Sequence, residues 1–124
     1  MDQAMVDQLI GKTIVKYELS GDSTKLFLTF DTGEIATLET YADCCSWTWI
    51  ESIDTPEYLL GTIQTIEDLS MPDRGDTPTS KRGEVDWVRY YGLQITTNKG
   101  TAVLDYRNDS NGYYSGDIDL KEIT

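Results

Sequence analysis

The feature that most constrains this chain is a change of hydrophobic period just after Gly11. Over 13–19, Val15, Tyr17 and Leu19 fall on alternate positions, and over 25–30 so do Leu26, Leu28 and Phe30. A period of two places alternate side chains on one face of a strand. The segment between these runs, Ser20-Gly21-Asp22-Ser23, is turn chemistry, and Asp31-Thr32-Gly33 forms a second tight turn before a third strand over 34–40. Three strands in a meander follow from this pattern. Further on, 87–97 returns to period two with Trp87, Arg89, Tyr91, Leu93 and Ile95 on one side. Asn98-Lys99-Gly100 is a hairpin turn, and 101–107 is the paired strand, with Ala102, Leu104 and Tyr106 on one face. A last strand is expected over 113–120, and 62–66 reads as a further short one.

Two segments read as helical. Over 1–10, Met5, Leu9 and Ile10 have helical spacing, with Asp2 as a cap and Gly11 as a stop. Over 43–53, Asp43 or Ser46 can cap a helix whose Trp49, Ile50 and Ile53 face the core. Thr55-Pro56-Glu57 has the order of another helix start, ended by Gly61. The expected class is α+β: a mostly antiparallel sheet of about six to seven strands, open or barrel-like, with one short helix near 43–53 and a short N-terminal helix. The 124 residues are expected to form a single acidic α+β domain, with a mobile loop over 70–83 where Pro72, Gly75 and Pro78 cluster.

Charge narrows the function classes. Asp and Glu number 22 against 10 Lys and Arg, with no His, giving a net charge of −12. Direct binding to nucleic acid or to an anionic membrane is disfavoured, because phosphate recognition needs clustered cations. An acidic surface instead suits a basic partner. No apolar run approaches the ~20 residues of a membrane helix, and the start Met1-Asp2-Gln3-Ala4 lacks the basic and apolar regions of a secretory signal. A cytoplasmic location is expected.

The absence of His removes the Ser-His-Asp chemistry and His-based metal sites. Cys44 and Cys45 are adjacent, so they form neither a disulfide framework nor a zinc site. A cysteine at a helix N-terminus can be an activated thiol, but Asp43 opposes ionisation and no base is at hand. Packing is their expected role. No metal and no cofactor is expected, and a non-enzymatic role is favoured over a thiol enzyme.

The constellation that best suits a ligand is Arg107, Asn108, Asn111, Tyr113 and Tyr114, with Trp47 from the Cys-Cys segment. Arginine offers a fork for phosphate or carboxylate, tyrosine a stacking face, and amides read the edge of a base or sugar. Without a ligand, Arg107 is expected to pair with a neighbouring acid, Asp105 or Asp109. Tyr90 and Tyr91, adjacent in a strand, must point to opposite faces, which leaves one of them outside the core.

Three segments, Asp43-Cys44-Cys45-Ser46 with Trp49-Ile50-Glu51, Leu59-Leu60-Gly61, and Tyr106-Arg107-Asn108 with Ser110-Asn111-Gly112-Tyr113-Tyr114, carry a resemblance. The chain resembles a family of small proteins of unknown function from bacteriophages and bacteria. The resemblance implies a phage or bacterial cytoplasmic setting and brings no activity with it. Two functional expectations follow. One is an accessory protein that holds a small nucleotide-like ligand, as a counter-defence protein would. The other is an acidic interaction protein, or nucleic-acid mimic, that blocks a basic DNA-binding host protein. A homo-oligomer is compatible with either.

Overall fold

The computed structural model describes residues 1–42, 46–70, 88–109 and 116–124. A short helix, α1 (Gln3–Leu9), opens the chain. The Asp2 carboxylate accepts the Met5 N–H at 2.9 Å, and Gly11, at φ +88°, turns the chain out of the helix. Val6 and Leu9 are its buried residues, whereas Ile10 is exposed.

Among the described residues eight strands follow in chain order: β1 (Ile14–Leu19), β2 (Lys25–Phe30), β3 (Ile35–Ala42), β4 (Trp47–Asp54), β5 (Ile63–Ser70), β6 (Val88–Thr97), β7 (Gly100–Asp109) and β8 (Gly116–Ile123). They form two antiparallel four-stranded sheets, ordered β1-β2-β3-β8 and β4-β7-β6-β5. The expected meander is the first three strands of sheet one. The strand count exceeds the six or seven expected, and the sheets do not close into a barrel. They meet at corners: Thr13 bridges Thr62, their hydroxyls 2.8 Å apart, and the Ile50 N–H reaches the Ser23 carbonyl at 2.7 Å.

The turns behave as their residues dictate. Asp22 Oδ1 accepts the Ser20 hydroxyl, the Thr24 hydroxyl and the Thr24 N–H, tying the β1–β2 turn together. Gly33 takes φ +91° between β2 and β3, which a side chain resists. Thr97 pairs with Gly100 across the expected hairpin turn.

The helix expected over 43–53 is not there. Residues 43–45 lie outside the described residues, and from Trp47 the chain is strand β4. The misreading has a physical cause. Ile50 and Ile53 are three apart, a helical spacing, yet both face the core because a bulge between Ile50 and Ser52 inserts one extra residue. Ile50 then stands opposite Tyr106, and Ile53 opposite Leu104. The Trp, Thr and Ile content of the segment also favours a pleated surface. A second bulge, between Ile14 and Lys16, leaves Val15 exposed rather than beside Tyr17 and Leu19.

The Thr55-Pro56-Glu57 signal becomes a single 3-10 turn, Pro56–Leu59. Thr55 does not cap it. Its residue is left-handed, at φ +50°, and its hydroxyl donates to the Thr101 carbonyl at 2.7 Å, pinning the turn to β7. Leu59 is fully buried beneath it. The loop expected over 70–83 lies outside the described residues beyond Ser70, the last residue of β5.

One apolar core serves both sheets. Leu26, Leu28, Phe30, Leu38 and Ile118 meet Ile50, Ile63, Leu93, Ile95 and Leu104, and Val6 and Leu9 of α1 join the same cluster. Ala102, Leu104 and Tyr106 lie inside as the alternation predicts, and Tyr91 stacks on Tyr106 with ring centroids 5.3 Å apart.

Candidate functional site

The end of β7 departs from ordinary strand alternation, because every residue from Leu104 to Asp109 is buried. Leu104, Tyr106 and Asn108 share the core face. Asp105, Arg107 and Asp109 occupy the opposite face. There Arg107, the centre of the constellation predicted from sequence, is fully buried. Its Nε and Nη2 donate to the two carboxylate oxygens of Asp105 at 3.0 and 2.9 Å, and its Nη1 lies 3.7 Å from Glu51. The Trp49 indole N–H donates to Glu51 at 2.8 Å, and the guanidinium sits 4.7 Å from the centre of the Tyr90 ring. Tyr90 is therefore the member of the Tyr90–Tyr91 pair that leaves the core, and its face covers a cation. A buried arginine engaged by two acids is not placed as an open fork for phosphate. Asp105 is one of the two acids expected to pair with Arg107 in the absence of a ligand.

Asn108 is also fully buried, on the other face of the same strand. Its amide nitrogen donates to the Thr48 hydroxyl at 3.0 Å, while its Oδ1 has no hydrogen-bond partner among the described residues. Gly116, at the start of β8, presses against Thr48 so closely that a β-carbon there would collide with Thr48 Oγ1 and Cγ2. Trp47 stands opposite Asp109 at the start of β4, and its indole N–H is likewise buried without a partner among the described residues. Trp47 lines a cleft of about 290 Å³ with Asp22, Thr24, Glu39, Tyr41 and Thr48. The charged residues of this lining are both acids. Asn108 thus bonds Thr48 on one face of the sheet, whereas Trp47, opposite Asp109, falls on the face that Arg107 occupies. Asn111, Tyr113 and Tyr114, and the pair Cys44 and Cys45, lie outside the described residues.

A second grouping has no counterpart in the sequence reading. Asp68 of β5 and Asp117 of β8 come together from different sheets at the Met1 amino group. Burial, and after it the charges of Asp117 and Asp68, push the Tyr106 phenol well above its ordinary range. The Met1 amino group lies 3.1 Å from Asp68 and 3.8 Å from Asp117. On sheet one, Glu39 stands directly opposite Asp119, and Lys121 pairs with Glu39 at 2.9 Å. Asp117 and Asp119 are two apart on β8, and Asp68 arrives from the other sheet. Among the described residues no set of three His, Cys, Asp or Glu side chains is placed to hold a metal ion, and no helix is long and apolar enough to cross a membrane.

Among the described residues this is a two-sheet antiparallel β protein with one short α-helix, an internal Arg–Asp pair on one strand, and exposed acids from both sheets beside the Met1 amino group. The chain belongs to the DUF7448 family, a domain of unknown function, whose family model matches residues 7–120. No curated protein and no solved structure matches it.

Proposed function

We propose that this protein is a non-enzymatic binding protein whose acidic surface engages a basic partner. What supports this reading is the net charge of −12 together with Asp68 and Asp117, which two different sheets bring to one place beside the Met1 amino group. A net charge this far from zero creates a field that favours association with an oppositely charged surface. The direct opposition of Glu39 and Asp119 across β3 and β8 belongs to the same field. In its finer form, the partner is a basic DNA-binding protein whose nucleic-acid site the acids occupy, in the cytoplasm of a bacterium or a phage-infected host. Counter-defence is one setting for such a mimic.

The alternative, a protein that holds a small nucleotide-like ligand, has lost its anion anchor. Arg107 is engaged by Asp105, and the cleft beside Trp47 presents Asp22 and Glu39, which repel phosphate. Trp47 and Asn108, each with an unpartnered buried polar atom, are what remains in its favour among the described residues.

The test is retention of host proteins on the immobilised chain. A basic DNA-binding protein is expected to bind at low salt, to be displaced by duplex DNA, and to dissociate steeply as salt screens the exposed charges. The triple change Asp68→Asn, Asp117→Asn and Asp119→Asn is expected to abolish retention. If no basic protein is retained at low salt, the reading fails. A thermal shift with a mono-, di- or cyclic nucleotide would restore the alternative.

A further inference from the structure

Each four-stranded sheet has two edges, and an uncovered edge offers a row of backbone donors and acceptors to any strand that reaches it. Three of the four edge strands here carry excess negative charge. They are β4 with Glu51 and Asp54, β5 with Glu67 and Asp68, and β8 with Asp117, Asp119 and Glu122 against Lys121. Edge β5 is flanked by α1 as well, since Gln3, Val6 and Ile10 line a cleft with Gln64 and Glu67. Charge on an edge is a recognised guard against strand pairing.

The fourth edge, β1, is different. Its sequence Ile14-Val15-Lys16-Tyr17-Glu18-Leu19 holds one base and one acid and has no net charge. Val15 is 54 % exposed, and Lys16 and Glu18 are exposed too. Lys16 pairs with Thr29 and Glu18 with Phe27 on the β2 side. Among the described residues, the hydrogen bonds that leave this strand on its other side are confined to its start, where the Ile14 N–H reaches the Gly61 carbonyl at 2.8 Å. The bulge between Ile14 and Lys16 twists that start away. Residues 15–19 are left as an open pairing segment centred on Tyr17.

Lys16 and Glu18 are two apart, so they share one face of the strand. If two copies of β1 lie antiparallel about Tyr17, Lys16 of one copy stands opposite Glu18 of the other, and the two-fold axis repeats the pair. A chain of net charge −12 repels its own copies at its other edges, where acid would meet acid; at β1 the facing charges are complementary. We propose that the protein forms a two-fold homodimer by antiparallel pairing of β1 with β1 of a second copy, which joins two four-stranded sheets into one of eight strands. This proposal does not rest on the acidic-partner reading.

The experiment is sedimentation of the full chain over a range of concentrations, with circular dichroism to follow folding. Wild type is expected to be a dimer. Lys16→Glu and Glu18→Lys each place like charges opposite one another twice, and each is expected to weaken the dimer roughly tenfold or more. The double exchange restores opposite charges in the same register and is expected to recover the dimer. A wild type that stays monomeric at its highest soluble concentration overturns the proposal. So does a dimer indifferent to the single exchanges, or a folded double variant that remains monomeric.

Discussion

Arg107 and Asp105, two residues apart on one strand, hold each other in a two-pronged ion pair, with both nitrogen–oxygen distances near 3 Å and both side chains almost wholly out of contact with solvent. Such a pair depends on geometry: removing one member leaves the other as an uncompensated buried charge.

Arg107→Ala is therefore expected to destabilise the fold by about 3–5 kcal/mol, and Asp105→Ala by a similar amount. Arg107→Lys should recover little of the loss, because an ammonium cannot reproduce the planar fork. Replacing both residues by leucine should be much less damaging than either single change to alanine. Urea unfolding of the four variants measures all of this. An Arg107→Ala protein as stable as wild type would show that the pair does not hold this part of the fold.

Tyr106 sets an alkaline limit. Its phenol is held above its ordinary range by burial and by the charges of Asp117 and Asp68. Below a pH of about 10, Tyr106 is protonated in both the folded and the unfolded chain and makes no difference to stability. Above it, the unfolded chain releases the proton while the folded one retains it, so stability falls as pH rises. Tyr106→Phe should remove that part of the loss. The urea midpoints of the two proteins are expected to diverge between neutral pH and pH values above about 10, with the wild type falling faster.

Gly116 lies against Thr48, and a methyl group there overlaps the threonine side chain. Gly116→Ala is expected to cost about 1–3 kcal/mol, as overpacking does. In a Thr48→Ala background the added cost of Gly116→Ala should shrink, because the colliding atoms are gone. The coupling between the two sites in a double-mutant cycle is the measurement, and strict additivity would contradict the contact.

Ile50 tests the bulge in β4. As a buried core residue opposite Tyr106, it should cost about 2–5 kcal/mol on change to alanine. Glu51→Ala, at the inserted position, removes the acid that accepts the Trp49 N–H and approaches Arg107. Its effect on stability should depend on whether Arg107 is present. A helix at this position would not couple Glu51 to Arg107.

Local chemistry was enough to read much of the sheet. The alternations Leu26, Leu28, Phe30 and Ala102, Leu104, Tyr106 are core stripes in the structure, and the turns at Asp22, Gly33 and Gly100 are where short polar residues and glycine put them. The capping of α1 by Asp2 was equally legible. Each of these depends on a few consecutive residues and on the two-residue period of a strand. The helical reading of 43–53 failed because a bulge can imitate a helical spacing, and the bulge is set by pairing with β7, some fifty residues away.

The site divides along the same line. From its type alone, Arg107 is a fork that suits phosphate or carboxylate; whether that fork meets a ligand or an acid of its own chain depends on what covers the strand. Asp105 was named as a neighbour, but Glu51, Trp49 and Tyr90 reach Arg107 only through the pairing of β4 and β6 with β7. Likewise −12 is a property of the sequence, while the meeting of Asp68 with Asp117 at the Met1 amino group is a property of the fold. The sequence by itself determined the strand alternation, the turns and the sign of the electrostatic field. Tertiary structure alone decided which charges are buried against each other and which gather at the surface, because Coulomb energy and desolvation depend on distances between strands that are remote along the chain.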